Sequence, residues 1–230
     1  DAATGELLRT IDTHNAPLSI AVSPDDRYVV AGMYQANVVM WDLETGKIVR
    51  PFVGHEVPRE QGRPGRILGV GFSPDGKTLA TGGDDGTVRL WEAATGKQLH
   101  KLAALADLPA DLPVPPVETV VFSRDVKTVI AADYAGSVRQ WSVTDGRLIK
   151  TLRGNKHAAI SPDGKWIAAG DKLFDAATNE LVCRLPSEQG AGGTSLRFTP
   201  DSRRLAIGHS DGSPWVYEVP TGRVVGKVAC

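Results

Sequence analysis

The sequence has little of what indicates nucleic-acid binding or membrane insertion. Among its 230 residues, 26 basic side chains are balanced by 27 acidic ones, for a formal charge of −1. Without a basic excess, the sequence predicts no basic groove that could bind a phosphate backbone. Its aromatic residues are too few to predict a surface for base stacking. No apolar run approaches the roughly 18 residues that a membrane helix needs. We therefore expect neither a nucleic-acid partner nor a membrane.

Cysteine is also scarce, with only Cys183 and Cys230. We expect two unpaired thiols, which fit a reducing compartment, and on this basis we assign the chain to the cytoplasm. A disulfide between the two is the alternative. The first residue is Asp rather than Met and no signal-like segment follows, so we expect the true N-terminus to be missing.

A repeated turn divides the chain into five units. Its clearest copy is Ser-Pro-Asp-Gly-Lys at 73–77, and its second position recurs at intervals of 50, 50, 38 and 38 residues, at Pro24, Pro74, Arg124, Pro162 and Pro200. An aromatic residue closes a strand in every unit, at Trp41, Trp91, Trp141, Phe174 and Tyr217. A basic unit of about 38 residues is close to the ~40–45 of a four-stranded propeller blade.

Each unit contains four short strands. In the second unit they cover 67–73, 77–83, 87–91 and 97–102, which are rich in β-branched and aromatic residues and bounded by Gly, Pro and Asp. Pro fixes φ in the first turn and Gly supplies a positive φ, while the Asp-Asp-Gly of 84–86 suits a tight hairpin. Because no helical period of useful length competes, we predict an all-β chain.

The chain resembles the WD-repeat β-propeller family. Trp41-Asp42 and Trp91-Glu92 stand at the place of the signature dipeptide, and Gly54-His55 supplies a Gly-His. The resemblance covers nearly the whole chain and implies a β-propeller of four-stranded antiparallel blades. It says little about function, because this family serves many unrelated roles on one scaffold.

The repeats predict one propeller domain or segment over 1–230, with blade 1 at 12–53, blade 2 at 54–102, blade 3 at 103–153, blade 4 at 154–185 and blade 5 at 186–230. Residues 1–11 match an outer strand, which we assign to a preceding or closing blade. Residues 223–228 already supply an outer strand to blade 5, so two outer strands compete for one blade. We therefore predict five repeat units plus one extra outer strand, as part of a larger ring of about seven blades. Further blades would come from missing sequence or from another chain. The alternative is a compact five-bladed ring with one loose terminal strand.

The resemblance implies a structural role for four residues of blade 2. They match the hydrogen-bonded set that holds a blade together in this family: His55, Thr81, Asp85 and Trp91. A catalytic set of His, Asp and hydroxyl is the rival interpretation, but buried polar groups of a repeat more often satisfy one another. Other units depart from the pattern, with Gln35 and Ala135 at the position of Asp85, whereas Asp211 keeps it. Because we assign the four residues of blade 2 a structural role, we predict that the chain is not an enzyme.

The remaining histidines indicate neither a metal nor a cofactor. His14, His100, His157 and His209 lack the spacing of metal ligands. Glu118 and His157 fall near the starts of inner strands, where side chains line the central channel, and we interpret them as solvated channel residues. A glycosidase-like site would need convergent carboxylates, and only one acid stands at such a position.

Two long connections lead to the most specific prediction. They run over 56–66 and 103–116, on the face of the disc that carries the 84–86 hairpin, and they flank blade 2. Long connections of this kind are often functional. The residues predicted to contact a partner are Arg59, Arg63 and Arg66 in the first loop and Leu105, Asp107, Leu108, Asp111 and Leu112 in the second. The alternative is that the leucines fold back and cap blades 2 and 3.

Together these features predict a non-catalytic scaffold that presents one loop-decorated face to a protein or peptide partner. Two alternatives stay open. One is a regulatory or sensor domain of a larger enzyme, and the other is a propeller that binds a glycan or small molecule in its central channel.

Overall fold

In the computed structural model the chain consists of β-strands joined by tight turns. The structure describes residues 4–56, 65–103, 114–153, 157–186, 193–209 and 212–227. Within them lie five four-stranded antiparallel sheets, each made of strands that are consecutive in sequence and paired in that order, and no helix. The predicted all-β fold of four-stranded antiparallel blades is confirmed.

The strands are short and follow the repeat. Blade 1 contains β1 (Pro17–Val22), β2 (Tyr28–Met33), β3 (Val38–Asp42) and β4 (Ile48–Pro51), and blade 2 contains β5 (Ile67–Phe72), β6 (Thr78–Gly83), β7 (Thr87–Glu92) and β8 (Gln98–Ala103). Blade 3 contains β9 (Val117–Phe122), β10 (Thr128–Asp133), β11 (Ser137–Ser142) and β12 (Leu148–Arg153). Blade 4 contains β13 (Ala158–Ile160), β14 (Trp166–Ala169), β15 (Lys172–Asp175) and β16 (Leu181–Arg184). Blade 5 contains β17 (Gly193–Phe198), β18 (Arg204–His209), β19 (Pro214–Glu218) and β20 (Val224–Lys227).

The turn between the first two strands of every blade is held by one hydroxyl and one carboxylate. In blade 2, Ser73 Oγ donates to Asp75 Oδ1 at 2.6 Å and accepts the N–H of Thr78 at 2.9 Å, while Lys77 N donates to Asp75 at 3.1 Å. The other blades repeat the hydroxyl–carboxylate pair, as Ser23–Asp25, Ser123–Asp125, Ser161–Asp163 and Thr199–Asp201. The recurrence of the turn in the sequence therefore reflects a local hydrogen-bond set that closes each hairpin.

These turns lead us to expect a loss of stability in acid. The pKa of each turn carboxyl lies below its usual value. Burial has the largest single effect at Asp163 and raises the pKa, but at all five carboxyls the hydrogen bonds from the hydroxyl and from the backbone N–H outweigh burial. A carboxyl whose pKa is depressed by folding stabilises the protein above its unfolded pKa of about 4, and loses that effect as pH falls through the folded value. The free energy of unfolding in urea should thus fall below about pH 4. A free energy that rises towards pH 3 would contradict this expectation.

Neighbouring blades pack face to face in chain order. We call the side of a sheet that contacts the preceding blade its leading face, and the opposite side its trailing face. Blade 1 contributes Val30, Met40 and Phe52 from its trailing face to a cluster with Leu79 and Trp91 of blade 2. Similar clusters join blades 2 and 3, 3 and 4, and 4 and 5. The inner strands β1, β5, β9, β13 and β17 line a central cavity of about 740 Å³.

The outward faces of blades 1 and 5 are covered only in part among the described residues. On blade 1, Ala31, Met33 and Trp41 are buried with Ile11 packed against them. Ile20 and Val22, on the leading face of blade 1, are 68% and 49% exposed, whereas their counterparts Val120 and Phe122 in blade 3 are each 6% exposed. Ala206, on the trailing face of blade 5, is exposed as well. Blades 1 and 5 therefore do not bury these positions against each other, and the number of blades in the ring stays a prediction.

Residues 4–13 lie where an outer strand ahead of blade 1 would lie. Ile11 packs against Trp41 just as Phe52 packs against Trp91, and the side chain of Arg9 approaches Gly46 as that of Arg50 approaches Gly96. These residues nevertheless make no strand pairing within the described chain. The segment thus lies at the expected place of the extra outer strand but forms no strand hydrogen bonds within the described residues. Its assignment to a preceding or closing blade stays a prediction.

Candidate functional site

A buried hydrogen-bond network fixes the hairpin of blade 2. His55 Nδ1 lies 3.0 Å from both carboxylate oxygens of Asp85, and His55 Nε2 lies 2.7 Å from Thr81 Oγ1. Trp91 Nε1 donates to the same Thr81 hydroxyl at 2.8 Å. One proton arrangement satisfies these contacts: Trp91 donates to Thr81, the Thr81 hydroxyl donates to His55, and His55 donates to Asp85. The structure thus brings together all four residues of the predicted set.

Asp85 receives more donors than His55 alone. Its carboxylate accepts the N–H of Glu56 at 3.1 Å, both the N–H and the hydroxyl of Thr87, and Nη2 of Arg89 at 3.4 Å. Burial raises the pKa of Asp85, but the hydrogen bond from His55 and those from the backbone N–H groups of Glu56 and Thr87 outweigh it and hold the pKa well below its usual range. The side chains of His55 and Asp85 are almost fully buried, and their hydrogen bonds join the 84–86 hairpin to the chain at 55–56.

Blade 3 fixes its hairpin with a different acid. The position of Asp85 is occupied by Ala135, and the carboxylate of Asp133, two residues earlier, takes over. It accepts the N–H of Ser137 at 3.0 Å and a hydrogen bond from Arg139 Nη1 at 3.0 Å. Asp133 is buried. The sequence analysis missed this pair, although an Asp just before a hairpin followed by an Arg on the next strand was the available signal.

Blade 5 contains a third arrangement. His209 Nε2 lies 3.0 Å from the hydroxyl of Tyr217, which donates to the carbonyl of Pro186 at 2.7 Å. Burial raises the pKa of Tyr217 to about 12, so the hydroxyl keeps its proton. The sequence analysis tested His209 only for metal-ligand spacing and missed its structural role. Asp211, the predicted hairpin acid of this blade, lies outside the described residues.

The ends of both long loops meet on the 84–86 hairpin. Glu56, which precedes the undescribed part of the first loop, donates its N–H to Asp85. Arg66, which follows it, donates from its backbone N, Nε and Nη2 to Asp84 at 3.0, 2.9 and 3.1 Å. Val114, at the end of the second loop, lies so close to Gly86 that a Cβ there would collide with it. The two loops therefore start from one rigid hairpin.

Of the predicted partner-contact residues, only Arg66 can be located. Its side chain forms an ion pair with Asp84 and stays partly exposed, and the hydrogen bond to Asp84 raises its pKa. The other seven lie outside the described residues: Arg59, Arg63, Leu105, Asp107, Leu108, Asp111 and Leu112. Their contact role stays a prediction.

Gly86 should tolerate alanine poorly. Its φ is +65°, and an added Cβ would collide with Val114. Gly164 is a matched control, since its φ is +74° but nothing lies within 4 Å of the added carbon. Both Gly→Ala changes force a side chain into the left-handed region, at roughly 1 kcal/mol. We expect Gly86→Ala to cost about 1–3 kcal/mol more in urea unfolding, because Val114 must move. Equal costs would contradict a Val114 that is fixed against the hairpin.

The central channel holds one acid–base pair. Glu118 and His157 both line the cavity, and Glu118 Oε2 lies 3.9 Å from His157 Nε2. Hydroxyls of Ser19, Thr119 and Ser195 belong to residues of the same lining. Within the described part of the chain, no three His, Cys, Asp or Glu residues are grouped as metal ligands would be.

Cys183 is a free thiol whose pKa is raised by burial. Cys230, and with it the alternative of a disulfide, lies outside the described residues. The described chain also contains no helix that is both long and apolar enough to cross a bilayer.

Comparison with known families matches two segments of the chain. The model for the WD domain, G-beta repeat, matches residues 5–42 and 46–92. Both matches end at the third strand of a blade. The first runs from the opening segment to β3, and the second runs from β4 to β7. No curated protein matches the chain. The two matched repeats and the five four-stranded blades support a WD-repeat family.

Proposed function

We propose that the chain is a non-catalytic scaffold that binds a protein or peptide partner on its loop-bearing face. Propellers of WD repeats typically mediate protein interactions. The observation that carries the proposal is the meeting of both loop ends on the 84–86 hairpin, which the buried Asp85 network holds in place. A rigid base under two loops reduces the ordering cost that a partner must overcome.

The sequences of the two loops favour a partner with mixed chemistry. The first loop contributes Arg59 and Arg63 beside Glu60, and the second contributes Leu105, Leu108 and Leu112 on a Pro-rich segment with two acids. Leucines on a Pro-rich segment suit a few apolar anchor pockets, while the arginines suit carboxylates at the rim. We therefore expect a protein surface or peptide with an apolar centre and acidic edges.

Loop replacement tests this function. Residues 57–64 and 104–113 are replaced separately by short Gly-Ser linkers, and partners are isolated by proximity labelling on the intact chain and each variant. A double variant in the blade 3 turn, Arg124→Ala with Lys127→Ala, is the matched control, because these exposed residues lie on the opposite face. Partners that the control keeps and both loop variants lose support the proposal. Retention of every partner by both loop variants would contradict it, provided that far-UV dichroism shows an intact fold.

The central channel supports a second candidate, a site for a glycan or small molecule. Its volume of about 740 Å³ is in the range of small-molecule pockets, and the Glu118–His157 pair supplies polar groups. Titration calorimetry with a panel of oligosaccharides tests this function. Binding that weakens in Glu118→Gln and His157→Ala supports it, and binding unaffected by both would exclude the channel as the site.

A further inference from the structure

A groove lies between blades 1 and 2 on the face opposite the loops. Its volume of about 820 Å³ is in the range of small-molecule pockets. Most of its walls are apolar and come from both blades, including Tyr28, Met40, Phe72, Pro74, Ala93 and Leu99. The groove is thus complete within two described blades.

One cation of this groove lacks a carboxylate partner. Arg50, on the outer strand β4, lines the groove and donates from Nη1 to the carbonyl of Ala94 across the blade junction. Within the described residues Arg50 forms no ion pair, and its buried Nε has no acceptor. Native structures rarely leave a buried donor unpaired without a reason. The hydrogen bond to Ala94 therefore holds in place a guanidinium whose remaining donors can serve a ligand.

The acids of the lining are engaged in their own turns. Asp25 and Asp75 each accept a serine hydroxyl and a backbone N–H within the 23–27 and 73–77 turns, and Glu92 accepts the hydroxyl of Thr95. At the ~4.8 Å spacing of neighbouring strands, a turn between the first two strands lies roughly 10 Å from the outermost strand. Asp25 and Asp75 therefore lie at the inner end of the groove and Arg50 at the outer end.

The counterpart groove between blades 3 and 4 lacks these features. Its volume is about 430 Å³. Gln140 stands in the place of Met40 and donates to Thr128 Oγ1 at 3.1 Å. Lys150, the counterpart of Arg50, donates to a backbone carbonyl of blade 4 at 2.8 Å. The larger and more apolar groove of blades 1 and 2 is therefore the one that keeps an unpaired guanidinium.

We propose that the groove between blades 1 and 2 binds a small aromatic carboxylic acid, with its carboxylate against Arg50 and its ring against Met40 and Phe72. A carboxylate that pairs side-on with a guanidinium uses Nε together with one Nη, and so supplies the acceptor that Arg50 lacks. Aromatic rings pack well against other rings and against the thioether of methionine. Because the groove lies opposite the loops, this site is independent of the partner-binding function proposed above.

Titration calorimetry with naphthoate and with its carboxamide tests the proposal on the intact chain. The two probes share a shape and differ in charge. We expect the acid to bind at least about tenfold more tightly than the amide, and Arg50→Met to remove this preference by weakening the acid alone. Lys150→Met, at the same strand position in blade 3, is the matched control and should bind both probes as the natural chain does.

A second variant keeps the test valid if Arg50→Met loosens the blade junction. Leu99 is 42% exposed, so Leu99→Glu should keep the fold while it places a charge on the groove wall and weakens both probes. The proposal is overturned if the acid fails to bind at millimolar concentration, or if its preference over the amide is absent or survives Arg50→Met. Acid binding that ignores Leu99→Glu, or that Glu118→Gln weakens because it occurs in the central channel, overturns it equally.

Discussion

Replacing Asp85 with alanine should lower the free energy of unfolding by about 3–5 kcal/mol, the cost of breaking a buried ion pair by removing one partner. The carboxylate accepts hydrogen bonds from His55, Glu56 and Thr87, and Arg89 lies within reach as well. Without it, the Nδ1 of His55 loses its carboxylate acceptor, and the almost fully buried Arg89 keeps only Gln98 and the more distant Glu56 as partners. Urea unfolding followed by far-UV dichroism measures the change.

Gln35→Ala is the matched control, because Gln35 occupies the same hairpin position in blade 1. Gln35 already has a φ of +60° with a Cβ present, and alanine also has a Cβ, so the substitution adds no backbone strain. We expect a change within about 0.5 kcal/mol, as for other surface substitutions. Similar losses in the two variants would show that the hairpin position itself, rather than the buried network, carries the stability.

Trp91→Ala should be about as damaging, with a loss of about 3–5 kcal/mol. The Trp91 ring is fully buried, and its contact with the edge of Phe52, at 5.9 Å between ring centroids, joins blade 2 to blade 1. Removing the ring leaves a cavity at a junction of two sheets, where neither rigid sheet can collapse to fill it. The apparent melting temperature, which falls by roughly 2–4 °C per kcal/mol in a chain of this size, is a convenient measure.

Phenylalanine in the same place separates packing from hydrogen bonding. Trp91→Phe keeps most of the ring but removes the donor to Thr81. Trp41→Phe is the control, because Ala31 stands at the position of Thr81 in blade 1 and has no hydroxyl to accept. We expect the blade 2 variant to lose about 1 kcal/mol more than the blade 1 variant. Equal losses would mean that the Trp91 hydrogen bond adds nothing to packing.

The fold could be predicted because its signals are local. The turn at 73–77 combines Pro, Asp and Gly with a Ser hydroxyl, and all of its hydrogen bonds lie within five residues. The sequence therefore contains everything that the turn needs, and five copies of it mark five blades. The set of His55, Thr81, Asp85 and Trp91 could also be placed, since blade 2 keeps the spacing of the family.

The sequence analysis missed two sites in which a blade uses a different residue, or a residue at a different repeat position, for the role filled in blade 2. Ala135 removes the hairpin acid of blade 3, and Asp133 replaces it from a neighbouring position that points to the same backbone N–H. Tyr217 in blade 5 stands where blades 1 to 3 have Trp and carries a hydroxyl, which bonds both His209 and the carbonyl of Pro186. Which residue can form these hydrogen bonds depends on its distance from the partner in the folded chain. An alignment of the repeats does not contain that distance.

The strictly sequential order of strands within each sheet has a consequence for how the chain folds. Every strand pairs with its neighbour in sequence, so each pairing closes only a short loop and costs little chain entropy. Each blade is then stabilised by its own hydrogen bonds and by its contacts with adjacent blades, as in a one-dimensional array of repeats. Blade 2, with its buried network and a neighbour on either side, is the natural place for structure to nucleate and to persist longest. Amide hydrogen exchange should therefore slow towards β6 and β7 and quicken towards blades 4 and 5.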